Sequence, residues 1–284
     1  MRNILRMDIR RLLRARSLYV SMLIIALIVG IATTAMHFLT TQSVDDLAQM
    51  GAWHEDGDDM QSKLAMAARI SPENAKNAML ELRRQADVQS LSMVPIQQIG
   101  MAHLMSVIVV ALFAAKDYAT GYLKNLLTLR GIKSKWLLSK LVIALLVSAL
   151  LYLTTLLSAV IGSLLLGNPA TFDAAKLLSF FGVHMAVDLA LAASVLCVLT
   201  LTQNKTAALV FGMLEAFNFQ RMVFFLLDTL GWLPFRLSDY AMMNQAGKYA
   251  PGDPAGQLLI TAGVLFAVYA LGAWGALTKR DLKM

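Results

Sequence analysis

Six stretches of this chain are apolar for long enough to cross a bilayer, and nothing else in it constrains the fold as strongly. They lie at roughly residues 18–39, 99–115, 137–166, 177–201, 207–230 and 257–277. A hydrocarbon core of about 30 Å needs about 20 apolar residues in helical form, and in lipid every backbone N–H and C=O must be bonded within its own segment. The expected fold is therefore all-α: a polytopic membrane protein with six transmembrane helices in a single transmembrane domain, residues 1–284. The first apolar run is too long for a signal peptide, and Arg-rich sequence extends well upstream of it, so it is read as a retained span. Cys197, the only cysteine, falls inside an apolar run, which rules out an intrachain disulfide and leaves the thiol as a small buried hydrophobe.

An even number of spans puts both termini on one side, and basic residues say which. With the termini inside, 16 of the 25 Lys and Arg fall on inner segments. Six lie between Arg2 and Arg16, six between Lys116 and Lys140, one is Lys205, and three close the chain at Lys279, Arg280 and Lys283. Only eight fall outside, and five of those are diluted by nine Asp and Glu in the 41–97 loop. Positively charged flanks stay cytoplasmic. The net charge of +7 is thus a topology signal, and no basic-aromatic pattern of the nucleic-acid-binding kind accompanies it.

The outer loop, 41–97, carries a helix signal of its own: in "SPEN" Ser71 is placed to cap and Pro72 to occupy the first helical position, with the helix expected to run to about Gln89. "EDGDD" at 55–59 does not follow the alternating oxygen-ligand spacing of a calcium loop, and Gly57 among solvated acids marks a turn, so no metal site is expected. A second polar outer segment is expected at 231–256.

Two features face the inner side. Residues 2–16 place Leu5, Ile9, Leu12 and Leu13 on one helical stripe and Arg2, Arg6, Arg10 and Arg14 on another, the pattern of a helix lying in the membrane interface. The connection "KDYATGYLKNLLTLRGIKSKWLLSK", 116–140, carries six Lys and Arg yet repeats Tyr122, Leu123, Leu126 and Leu127 at helical spacing before a stop at Gly131. A short amphipathic helix in such a loop needs a cover for its apolar face. Lipid headgroups are one candidate and another protein is the other.

The order Asp117, Thr120-Gly121, "LKNLL", a break at Gly131, "KSK" and Lys140 resembles the first cytoplasmic loop of type-2 ABC exporter permeases, particularly the bacterial peptide and lantibiotic-immunity branch. The resemblance extends to six spans, a large first outer loop, an amphipathic helix ahead of span one, and the polar, Pro-containing "GWLPFRLSDY" at 231–240. An Asp stands at 117, where the family more often has Glu. The resemblance implies an elbow helix at 2–16 and a coupling helix in 116–136 that docks on a cytosolic ATPase. Leu123, Leu126 and Leu127 would be its knobs, Lys124 and Arg130 its rim charges, Asp117 its acidic flank, and Gly121 the point at which the chain turns. It further implies a bacterial cytoplasmic membrane location, a second permease chain, identical or different, and ATP and Mg on the partner ATPase. This chain has no G-x-x-x-x-G-K-[ST] sequence and no cofactor is expected on it, so it is not expected to be an enzyme.

Ionisable residues inside spans are costly and usually face a bundle interior or a cavity. His184 and Asp188, four apart on one face, are expected to pair as imidazole and carboxylate. In "EAFNFQR", 215–221, Glu215 and Asn218 share a face and Arg221 follows, which reads as a broken or water-lined helix. These five residues are assigned to a translocation pathway, with structural pairing between helices as the alternative. An ion-coupled secondary transporter working through His184, Asp188 and Glu215 is the second functional reading, and the missing internal repeat counts against it. An intramembrane hydrolase would need a motif such as H-E-x-x-H or G-x-S-x-G, and neither is present.

Overall fold

The computed structural model describes residues 2–41, 88–123, 132–167, 172–231 and 235–279. Lys124, Leu126, Leu127 and Arg130, the expected helix from Ser71 as far as Asp87, and "EDGDD" lie outside the described residues. Among those described there is no strand. The first helix, α1 (Arg2–Leu12), is followed after a short turn by α2 (Arg16–Thr41). A short helix, α3 (Val88–Met93), and a π-helical turn (Val94–Gln98) then lead into α4 (Met101–Ala119). The bundle is completed by α5 (Ile132–Leu165), α6 (Ala174–Thr202), α7 (Lys205–Ala216), α8 (Phe219–Asp228), a 3₁₀ turn (Leu237–Tyr240), α9 (Met242–Lys248) and α10 (Gly256–Lys279).

Local chemistry sets the boundaries. Asp173 caps α6 by accepting from the N–H groups of Ala175 and Lys176, both at 3.1 Å, and Asn204 caps α7 through Thr206 and Ala207. Gln203 ends α6 in the left-handed region at φ 55°, and Gly100 turns into α4 at φ 68°. Hydroxyls inside the helices return to their own backbone, as in Thr33 to Val29 O at 2.8 Å and Thr155 to Leu151 O at 3.0 Å. In an apolar surround this satisfies the O–H without a partner on another helix.

Helix α6 is the central element, packed by α4, α5, α7, α9 and α10. It is apolar nearly all round, and Val187, Leu191, Val195 and Leu199 are fully buried within it. The close approach of α7 depends on Gly212, where a Cβ would collide with Val195 and Val107. Small residues at crossings of this kind let helix backbones approach where no water is available to drive them together. By contrast, α2, α5, α8 and α10 present long apolar side chains outward, including Ile31 at 68 % and Leu271 at 66 % exposure. Such faces suit lipid.

Five of the described helices are long and apolar enough to span, and α7 with α8, bent by 66° at the break between them, passes the same test as a pair. The contacts order the two ends of the bundle. At one end sit α1, the end of α4, the start of α5, Asn204 and the end of α10, whose Trp274 Nε1 donates to Ser134 Oγ at 3.0 Å. At the other sit the π-helical turn, the start of α6, and α9, where Gln97 Nε2 donates to Gly247 O at 3.0 Å and Tyr249 stacks on Phe180. The bent pair leaves the first end at Lys205 and leads into α9 at the second, so both described chain ends lie at the same end.

The segment 215–221, read from the sequence as a broken or water-lined helix, is bent at Asn218, which adopts φ 63° and ends the α7 hydrogen-bond ladder. Within 116–136, α4 runs to Ala119 and α5 begins at Ile132, with Trp136 fully buried in the helix.

Candidate functional site

Two buried polar clusters stand out, one at the α1 end of the bundle and one deep within it. The first joins α1, α4 and α5. Asp117, on the last turn of α4, is fully buried; its carboxylate accepts from Arg11 at 2.7 Å and from Trp136 Nε1 at 2.9 Å, and pairs with Lys140 Nζ at 2.7 Å. Asp8, equally buried, accepts from Ser139 Oγ at 2.7 Å and Lys140 Nζ at 2.9 Å, with Arg11 at 3.5 Å. Two acids and two bases thus balance, and every carboxylate oxygen has a donor. The cations also lie over aromatic faces: Lys140 Nζ is 4.6 Å from the Phe113 ring centre, and the Arg11 guanidinium 5.3 Å from that of Tyr122. Burial and then the Asp8 and Asp117 carboxylates push the Tyr122 phenol up, with Arg11 opposing them.

Asp117 stood out in the sequence, but its pairing with Arg11 and Lys140, and the second acid Asp8 that shares them, did not. A signal for Asp8 existed. It stands three residues after Leu5 and four before Leu12, on the apolar stripe of α1, where an acid makes sense only with a cation across the helix interface. Of the remaining residues assigned to this end, Gly121 has φ 66° and turns the chain out of α4, while Leu123 is 1 % exposed and belongs to the main core.

The second cluster lies inside the bundle. His184 and Asp188 do not pair with each other; His103 from α4 stands between them, its Nδ1 2.7 Å from Asp188 Oδ1 and its Nε2 3.1 Å from His184 Nδ1. Tyr152 of α5 donates to the other Asp188 oxygen at 2.7 Å. The expected i,i+4 pair fails because neighbouring helices bring donors to Asp188 at a better approach than its own helix offers. One turn along α4 and α5, Ser106 and Ser148 meet at 3.2 Å.

The broken crossing carries the remaining assigned residues. Glu215 accepts from Tyr269 of α10 at 3.2 Å, and Arg221 is exposed on α8. Asn218 sits at the bend itself, so the helical spacing that put it on one face with Glu215 stops there.

Residues 74–220, just over half of the 284-residue chain, match the family model described as ABC-2 family transporter protein. No curated protein matches the chain. The matched region takes in α3 to α7, both buried polar clusters apart from their α1 contribution, and the bend at Asn218. An all-helical bundle with five or six candidate spans, matched in this way, belongs to the ABC-2 transporter family, whose members are membrane permease components of ABC transporters.

Proposed function

We propose that this chain is the permease subunit of an ATP-driven exporter, with the connection after α4 as its coupling segment and α1 as its elbow helix. The observation that carries the reading is the ion cluster of Asp8, Arg11, Asp117 and Lys140, which mounts that connection on three helices at once. Asp117 precedes the connection and Lys140 follows it. A displacement applied between them therefore moves the ends of α4 and α5 together with α1. Helix α5 then carries the movement about 50 Å, its 34 residues at 1.5 Å each, to the other end of the bundle.

In this reading Leu126 and Leu127 seat in a groove of a cytosolic ABC ATPase that holds ATP and Mg, with Lys124 and Arg130 at the rim. Leu123, directed into the core, anchors the start of the segment. A second permease chain, identical or different, completes the pathway. That pathway follows the broken crossing, where Glu215, Asn218 and Arg221 supply polar groups at the bend. The substrate is a peptide, an antimicrobial or another amphipathic molecule, moved out of the cytoplasm or the membrane. In this reading both termini lie in the cytoplasm of a bacterial cell, which the excess of Lys and Arg on the inner segments supports.

The test is affinity purification of the tagged chain in mild detergent, with mass spectrometry of what accompanies it, repeated for Leu126→Asp. A stoichiometric ATPase that is lost from the variant supports the coupling assignment. An ATPase retained at wild-type stoichiometry by a folded Leu126→Asp chain refutes it. Glu215→Gln is expected to reduce transport while leaving ATPase docking intact; equal loss of both would remove Glu215 from the pathway.

A further inference from the structure

The Tyr152–Asp188–His103–His184 chain ends on an atom with nothing to bond. His184 Nε2 is buried and, among the described residues, has no hydrogen-bond partner. His184 itself is 0 % exposed. Three rings enclose it: Phe180 at 4.4 Å, His103 at 5.2 Å and Tyr249 at 6.0 Å between centres. An unmade hydrogen bond in such a place is costly, and the free lone pair of this nitrogen is a point at which a proton can add.

We propose that His103 and His184 form a binding site for one proton, entered at His184 Nε2 and charge-balanced by Asp188. The proton inventory follows from the three bonds. In the unloaded state the Asp188 carboxylate accepts from Tyr152 O–H and His103 Nδ1–H, His103 Nε2 accepts from His184 Nδ1–H, and His184 Nε2 holds a lone pair. The cluster then carries one negative charge away from water. Loading adds a proton from a solvent acid to His184 Nε2. The Nδ1 proton of His184 passes across the 3.1 Å bond to His103 Nε2, which leaves His103 as imidazolium against Asp188 and His184 as the neutral Nε2–H form. The solvent acid gives up one O–H bond and leaves its conjugate base in water, only N–H bonds form and break within the pair, and the cluster becomes neutral. Neutralising a buried unbalanced charge is the driving force.

The surroundings agree with a single-proton site. The titratable groups facing the pair are Asp188 on α6, Tyr152 on α5 and Tyr249 after α9. On α7 and α10 the buried titratable groups Glu215 and Tyr269 bond each other, and no bond joins them to the cluster. Asp239 and Lys248, on the 3₁₀ turn and α9, make no ion pair with it. Tyr249 covers His184 from the end of the bundle that also holds Gln97 and Gly247, so the solvent acid arrives from that end when Tyr249 moves aside. The site is independent of the ATPase-coupling reading.

The test is nitrogen-15 NMR of the full chain, histidine-labelled, in lipid nanodiscs between about pH 5 and 9, the range in which imidazoles change charge. The expected wild-type result is one coupled step in which the His103 and His184 signals move together, with a net uptake of one proton. His184→Gln should abolish that step and displace the His103 titration by about one pH unit or more, as coupling of this kind requires. Asp188→Asn should abolish the uptake in the same range. Independent titration of the two imidazoles in wild type, or no titration of either, overturns the proposal, and the wild-type measurement decides this even where a variant does not fold.

Discussion

The two buried clusters are built from similar groups and differ in how completely they are closed. At the α1 end, two carboxylates meet two cations and two neutral donors, and no atom of the set lacks a partner. Inside the bundle, one carboxylate meets a phenol and one imidazole, a second imidazole bonds the first, and its last nitrogen has no partner among the described residues. A closed, charge-neutral set fixes three helices in one register, since any separation leaves charges buried without compensation. An open set has a place for one more proton. The difference separates a mechanical joint from a titrating one in the same fold.

The largest expected effect tests the closed cluster. Lys140→Met leaves Asp8 and Asp117 facing each other without their shared cation, and a loss of about 3–5 kcal/mol is expected on removing one partner of a buried pair. Unfolding by detergent titration measures it. A loss below about 1 kcal/mol would mean that the cluster is hydrated and is not a joint at all. The companion variant Asp8→Leu with Lys140→Met removes a charge pair together and is expected to recover most of the loss.

Next in size is Tyr152→Phe, which withdraws a neutral donor from Asp188 and is expected to cost about 1–3 kcal/mol, the penalty for an under-satisfied buried group. Ser139→Ala does the equivalent to Asp8, where Arg11 and Lys140 remain in place, and about 0.5–1.5 kcal/mol is expected. The ordering matters more than either value. If Ser139→Ala costs more than Tyr152→Phe in the same unfolding assay, the closed cluster is the less well satisfied of the two.

The smallest effect comes from an exposed reference carboxylate. The N–H of Lys176 and the Lys176 charge hold the Asp173 carboxyl below its ordinary range. Its contribution is therefore present above the unfolded carboxylate value of about 3.9 and is lost as pH falls through the lower folded value. Asp173→Asn keeps an oxygen for the α6 cap, so the variant should differ little from wild type at neutral pH and should lose less stability on acidification. Melting temperatures at neutral and acidic pH show this directly, and an identical acid response in both chains would remove Asp173 from the account.

Much of the architecture was legible from the chain alone. Apolar runs located the spans, because hydrocarbon thickness and backbone satisfaction leave a segment of that composition few alternatives. "EAFNFQR" drew attention to the residues where the crossing bends, through polar groups that a straight lipid-facing helix would not carry. The local signal stopped at pairings. His184 and Asp188 share a helical face, yet the partner of Asp188 is His103, 85 positions away. The partner of Asp117 on α1 is Arg11, 106 positions away. Asp8 on the apolar stripe of α1 was the one such residue whose burial the periodicity could have announced.

By itself, then, the sequence determined which segments are long and apolar enough to cross and where charge accumulates, because each of these depends on the transfer of a local segment between water and hydrocarbon. The tertiary structure decided which charges neutralise one another, that Leu123 turns inward, and that one histidine nitrogen has no partner among the described residues. Those outcomes depend on distances between helices, and at 2.7 Å a hydrogen bond is made or lost by a rotation that no residue spacing along a single helix records.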